Sequence, residues 1–302
     1  MSTPAPRTIA EYLDQLRAAL RGADPALIQD ALYDAEDHLR SELADHPGQG
    51  EAETLAKIAN SYGAPAEVAA IYVDTEQQVE QALRAPPPPP RKSALGRYFG
   101  IAADPRAYAA LFYMLLSLPT GIFYFTWAVT GVSLSIGLSI LIFGVVFAVL
   151  FFGTVRVLAL VEGRIIEVML GERMPRRPVY ASRGTTVRRR IAEMFTDPRT
   201  WSTLLYMLLM LPLGIVYFTV AVAGVSISLA LMFAPVMMVL AHYGMFDGGF
   251  YWDGEVFLPP LVALPLVFAL GAFLLFGMLH LARGIGRWQG VLAKHLLVKS
   301  SG

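Results

Sequence analysis

Beyond residue 106 the chain repeatedly runs for about 20 or more residues without a charged side chain, the length a helix needs to cross roughly 30 Å of hydrocarbon. No water-soluble fold buries so much charge-free sequence easily, and the composition agrees: of 302 residues, 55% are hydrophobic and 16% charged. Lipid offers the backbone no hydrogen-bond partners, so each span must be a helix that satisfies itself. The apolar limits predict spans at 107–130, 134–161, 201–223 and 260–282. The first hundred residues form a separate, soluble part. The N-terminus carries Glu11 and Asp14 and has no apolar core of a cleavable signal. Without a single cysteine, disulfides, thiol catalysis and cysteine-ligated metals are excluded.

A net formal charge of zero conceals two opposite halves. Residues 1–85 hold 15 acidic against 6 basic side chains, and the remainder holds 9 against 18. In the acidic head, apolar residues recur every three or four positions (Tyr12, Leu13, Leu16, Leu20, then Leu27, Ile28, Leu32, Leu39, Leu43), which predicts helices over 8–21, 25–44, 51–61 and 65–83. Asp24-Pro25 supplies an N-cap and a first-turn proline, and Tyr62-Gly63-Ala64-Pro65 a turn before another. The run Pro86–Pro90 then forms a polyproline rod of roughly 15 Å that spaces the head from the bilayer.

The order Tyr12-Leu13, Ala35-Glu36-Asp37-His38-Leu39, Gly50-Glu51-Ala52-Glu53 and Tyr62-Gly63-Ala64-Pro65 resembles the HAAS (HTH-associated α-helical signalling) domain, with Tyr-Gly-Ala-Pro where Leu-Gly-Asp-Pro is common. The resemblance implies a cytoplasmic signalling module of the kind found beside PadR-type transcription regulators.

The membrane part repeats itself. Asp104-Pro105-Arg106 recurs as Asp197-Pro198-Arg199, and the same 93-residue offset carries Tyr113, Pro119, Gly121, Tyr124, Gly131 and Ser135 onto Tyr206, Pro212, Gly214, Tyr217, Gly224 and Ser228. Farther on, Arg156, Glu162, Gly163 and Leu170 align with Arg283, Gln289, Gly290 and Leu297 at an offset of 127. The 34-residue difference is an insertion between Leu229 and His280. Keeping 229–244 outside leaves every Lys and Arg of the membrane part on one face, so four spans with both termini cytoplasmic follow from the positive-inside tendency. The alternatives for 229–244 are a re-entrant segment, a surface helix or a fifth span. The resulting architecture is an all-α membrane protein: a helical bundle (1–85), a Pro-rich linker (86–98), helix pair one with a basic loop (99–196), and helix pair two (197–302) with an extracytoplasmic insertion at 229–260.

An LPxGIxYF helix, a Gly-Val-Ser turn and a return helix ending Arg156…Glu162-Gly163-Arg164…Leu170-Gly171…Pro175…Pro178 resembles the sensor domain that precedes histidine kinases in many actinobacteria. No kinase follows within the chain, so the resemblance implies a signalling partner in another protein or in the HAAS-like head.

Three groups of residues are candidates for function. Pro119, Gly121, Tyr124, Pro212, Gly214 and Tyr217 mark helix kinks that serve packing or frame a ligand cleft. His242, Asp247, Tyr251, Trp252, Asp253 and Glu255 occupy the insertion, as a sensing loop or an aromatic belt at headgroup level. Arg173, Arg176, Arg177, Arg188, Arg189 and Arg190 crowd the loop between spans two and three, where they contact anionic lipid or dock the acidic head. No catalytic or nucleotide-binding motif is present, no cofactor or metal is expected, and direct nucleic-acid binding is disfavoured because no aromatic residues interleave the arginines. Within the span limits given there is no Asp, Glu or Lys, which argues against an ion-driven pump.

These observations together predict a non-enzymatic sensor of the bacterial inner membrane that relays an envelope cue to a PadR-like partner. A small transporter or lipid-binding protein with its cleft at the prolines is the alternative. Small residues at Gly144 and Ala148 suggest a homodimer face.

Overall fold

In the computed structural model the described residues are 5–46, 50–83, 93–140, 142–177, 196–245, 250–252, 255–257 and 260–298. The Pro86–Pro90 rod, Arg188, Arg189, Arg190, Asp247 and Asp253 lie outside them.

Four helices make the head: α1 (Ile9–Ala19), α2 (Pro25–Asp45), α3 (Glu51–Ser61) and α4 (Pro65–Leu83). They start where the caps predict. Thr8 Oγ1 accepts from Glu11 N at 3.2 Å, and Asp24 Oδ1 accepts from Ala26 N at 2.8 Å with Pro25 in the first turn. Tyr12, Leu16, Leu20, Leu39 and Leu55 interlock in one core, where each buried side chain of this size contributes about 1.5–3 kcal/mol. Gly63 takes a left-handed φ of 110°, and the Tyr12 hydroxyl donates to its carbonyl at 2.8 Å, fastening the α3–α4 turn to α1. The three tyrosine hydroxyls of this core, Tyr12, Tyr62 and Tyr72, are all pushed up in pKa, chiefly by burial.

After a short helix α5 (Ala94–Phe99) come four long apolar helices: α6 (Pro105–Gly137), α7 (Ile142–Leu170), α8 (Pro198–His242) and α9 (Leu264–Leu297). Each is long and apolar enough to cross a membrane. All four run past the C-terminal limits set by hydropathy, because a helix continues until something ends its hydrogen-bond ladder, whereas α7 and α9 begin eight and four residues later than the expected 134 and 260, residues 134–137 belonging to α6. Asp104 and Asp197 cap the starts of α6 and α8, their Oδ1 atoms accepting from Arg106 N and Arg199 N at 3.1 Å, and Gly171 at φ 76° follows the end of α7. The serine-alternating stretch 133–139 is helical to Gly137, then turns as a 3-10 segment, Leu138–Ile140.

The segment 229–244 is neither re-entrant, nor a separate surface helix, nor a fifth span: it continues α8 without a break through Pro235 to His242. At about 1.5 Å per residue, α8's 45 residues extend roughly 68 Å, twice what hydrocarbon requires. Gly137, the end of α6, corresponds to Ala230, so the insertion lengthens α8 by about three turns and carries the α8–α9 hairpin past the first pair. A two-stranded antiparallel ribbon, Phe250–Trp252 with Glu255–Phe257, lies in that link, Tyr251 opposite Val256.

Helices α6 and α8 form the central pair, α7 packs on α6, and α9 packs on both α8 and α6. The duplication appears here as a reciprocal contact. A Cβ on Gly121 would overlap the Met210 carbonyl oxygen, and one on Gly214 would overlap that of Ser117. Since Ser117 and Met210 are themselves equivalent in the repeat, the two backbones touch across a local two-fold axis. The helices run unbroken through Pro119 and Pro212, and near the first of these the Thr120 hydroxyl bonds back to Leu116 O at 3.0 Å.

Candidate functional site

The repeated tyrosines all point to one place. Glu162 of α7, 2% exposed, accepts three hydroxyls: Tyr113 and Tyr206 on Oε1 at 2.9 and 2.7 Å, and Tyr124 on Oε2 at 2.9 Å. Its counterpart Gln289 of α9 accepts from Tyr217 at 2.9 Å and donates to the Tyr206 hydroxyl at 3.0 Å and to Met210 Sδ at 3.3 Å. One buried network, Tyr124–Glu162–Tyr206–Gln289–Tyr217 with Tyr113 on the side, therefore joins all four long helices. Repeat one ends it in a carboxylate and repeat two in an amide.

This corrects the expectation that the spans hold no buried acid. Glu162 falls just past the hydropathy limit at 161, while the helix that carries it runs on to Leu170. A carboxylate survives there because three phenols meet its lone pairs, where an unpaired one would be prohibitive. The signal was present in the alignment of Glu162 with Gln289 and of the two tyrosine pairs, but spacing alone does not show that they converge.

Of the kink candidates, Tyr124 and Tyr217 thus belong to the network, and Gly121 and Gly214 to the helix crossing. Backbone contact fills the space between α6 and α8 at Gly121 and Gly214, while Pro119 and Pro212 are exposed. Gly144 abuts the Leu138 carbonyl and Ala148 is 5% exposed, so the face considered for a homodimer is used within the chain. His242 is exposed at the end of α8 with its ring edge-on to Tyr243 at 5.9 Å, and Tyr251, Trp252 and Glu255 lie in the ribbon. No group of three or more metal-ligating side chains occurs among the described residues.

The Asp-Pro-Arg motif closes the opposite end. Asp197 pairs with Arg156 of the other repeat at 3.9 Å, and Asp104 pairs with Arg283, the equivalent of Arg156. Each aspartate therefore caps its own helix and ties it to the partner pair. Arg199 adds two bonds to the Leu297 carbonyl, 3.0 Å from Nε and 2.6 Å from Nη2, at the end of α9.

Against this basic end sits the head. Asp30 of α2, 8% exposed in its side chain, accepts the backbone N–H groups of Arg176 and Arg177 at 2.7 and 2.9 Å, and Arg173 Nη2 lies 3.4 Å away. Arg173 also pairs with Glu76, and Arg177 Nε reaches Asp34 at 2.9 Å while its guanidinium lies 5.7 Å from the Tyr33 ring centre. Gln29 donates to the Arg177 carbonyl at 2.8 Å, and Lys294 of α9 pairs with Asp24. Burial pushes the Asp30 carboxyl above its usual value near 3.8, although the two backbone N–H groups and Arg173 pull the other way. Arg173, Arg176 and Arg177 are brought together on one face of α2.

Residues 113–297, from the first network tyrosine to the carbonyl that Arg199 caps, match the family described as Putative sensor. The chain belongs to this sensor family. Its head matches the HAAS family over residues 11–71. No curated protein and no solved structure matches. The two families, in this order on a chain with four helices long and apolar enough to cross a membrane, fit a membrane sensor or regulatory role, and the sensor family suggests a non-enzymatic one.

Proposed function

We propose that the four-helix part perceives a change in the membrane or envelope and holds or releases the head accordingly, the freed head engaging a cytoplasmic partner such as a PadR-like regulator. The observation that carries this reading is Asp30 seated on the N–H groups of Arg176 and Arg177, only six and seven residues beyond the end of α7. A small rotation of α7 displaces that seat. The network around Glu162 makes such a rotation stepwise rather than continuous, because it exchanges buried hydrogen bonds rather than stretching them. On this reading the basic end and both termini are cytoplasmic, and the long α8–α9 hairpin with its ribbon faces outward as the sensing surface.

Since the chain has no cysteine, the test is direct: dyes on Glu53→Cys and Val291→Cys report head position in nanodiscs. Docking weakens with salt through its more exposed pairs, such as Arg177 with Asp34, as screening lengths fall below about 8 Å, while the buried Asp30 and Arg173 are screened less. Reversing Arg173 and Arg177 to Glu should undock the head, and adding Asp34→Arg and Glu76→Arg should restore it. A head signal unchanged by salt and by the reversals contradicts the proposal.

A further inference from the structure

Between the docked head and the basic end lies a partly open space in which several polar groups face a largely apolar wall that includes Val155, Leu160 and Met174. It offers ≈40 Å³ to the centres of water-sized spheres and is bounded by Gln29 of α2, Arg156 of α7, and Asp197, Arg199 and Thr200 at the start of α8. A single water needs about 10–15 Å³ on this measure, so the space holds a group of several heavy atoms. Three side chains lining the space each carry a buried polar atom with no partner among the described residues: Gln29 Oε1, Arg199 Nη1 and Thr200 Oγ1. Thr200 is itself only 3% exposed. Only five such atoms occur among the described residues, so three at one cavity is a concentration that calls for a guest.

The charges say what kind. Two guanidinium groups line the space, Arg156, loosely paired with Asp197 at 3.9 Å, and Arg199, bonded to the Leu297 carbonyl, against the single carboxylate of Asp197. Among the described lining residues the balance is therefore one positive charge in excess. The first turn of α8 adds its amide dipoles, which favour an anion at that position. A guest that accepts from Arg199 Nη1 and Thr200 Oγ1 and presents a hydroxyl to Gln29 Oε1 would satisfy all three stranded atoms. A singly protonated phosphate group has this set of acceptors and one donor.

We propose that this cavity binds a phosphate-type oxyanion, from a lipid headgroup or a soluble phosphate, which bridges Arg156, Arg199 and Thr200 of the membrane part to Gln29 of the head. The inference rests on the docked head of the preceding reading, because Gln29 forms one wall. Anion binding then stabilises the docked state, and loss of the anion favours release.

The test uses the full chain in nanodiscs. Inorganic phosphate is titrated calorimetrically in phosphatidylcholine discs, and retention of phosphatidylglycerol is counted by native mass spectrometry from mixed discs. Saturable phosphate binding identifies a soluble source, and selective retention of one phosphatidylglycerol identifies a lipid source. In either case Arg156→Gln should weaken binding roughly tenfold, as loss of a charge-assisted contact does, and the isosteric Thr200→Val should weaken it severalfold. Arg17→Gln, remote on the head, should leave it unchanged. The Arg173→Glu/Arg177→Glu variant, with its head released, should bind less. If wild type binds neither probe while its dye pair reports a docked head, the oxyanion site is refuted and the docking reading stands. Equal binding by wild type, Arg156→Gln and Thr200→Val refutes it too.

Discussion

Replacing Glu162 by leucine removes the acceptor of three buried tyrosine hydroxyls at once. A stranded buried donor costs about 1–3 kcal/mol in soluble proteins, and interhelical hydrogen bonds within membranes average nearer 0.6 with a ceiling near 1.7. Three such losses should destabilise the fold by about 2–5 kcal/mol, and Gln289, whose oxygen already accepts from Tyr217, has one lone pair left and can replace at most one of them. The near-isosteric Glu162→Gln supplies the control: its oxygen in the place of Oε1 keeps Tyr113 and Tyr206, and its NH2 in the place of Oε2 donates to Tyr124, so the cost should stay within about 1 kcal/mol. Reversible unfolding in mixed micelles titrated with dodecyl sulfate, followed by the fluorescence of the four tryptophans, measures both. A Glu162→Leu variant within about 0.5 kcal/mol of wild type would refute the network as a structural hub, and a Glu162→Gln variant as damaged as the leucine would refute the acceptor argument.

Gly214→Leu should force α6 and α8 apart by collision with the Ser117 carbonyl and cost about 2 kcal/mol or more in the same assay, whereas Gly153→Ala, with open space around its Cβ, should be neutral. Asp104→Asn should cost less than Asp104→Ala, since asparagine still caps α6, and the Ala variant should lose about 1 kcal/mol for the cap in addition to the Arg283 pair. Docking should respond to acid through Asp30. Its docked-state pKa is raised, so its contribution favours docking fully below the free value near 3.8 and is lost as pH rises through the docked-state value. Asp30→Asn keeps the oxygen that accepts from Arg176 and Arg177, so the dye assay should show docking undiminished at neutral pH with a flatter pH response; undocking by this variant would contradict it.

What could be read in the chain before folding was whatever depends on near neighbours. The head helices followed from three-and-four spacing and from Thr8, Asp24 and Pro25, and they begin and end within two residues of expectation. The four spans followed from charge-free length, and the duplication from two constant offsets. Their ends did not, because hydropathy reports where lipid stops and α8 continues well beyond it to His242. Nor could spacing show that Tyr206 of one repeat would donate to Glu162 of the other, or that Asp104 would pair with Arg283. Those partners are set by how each helix is rotated about its axis, and close backbone contact at Gly121 and Gly214 holds that rotation between α6 and α8. Local pattern determines which segments are helices; which of their faces meet is a property of the packed bundle alone.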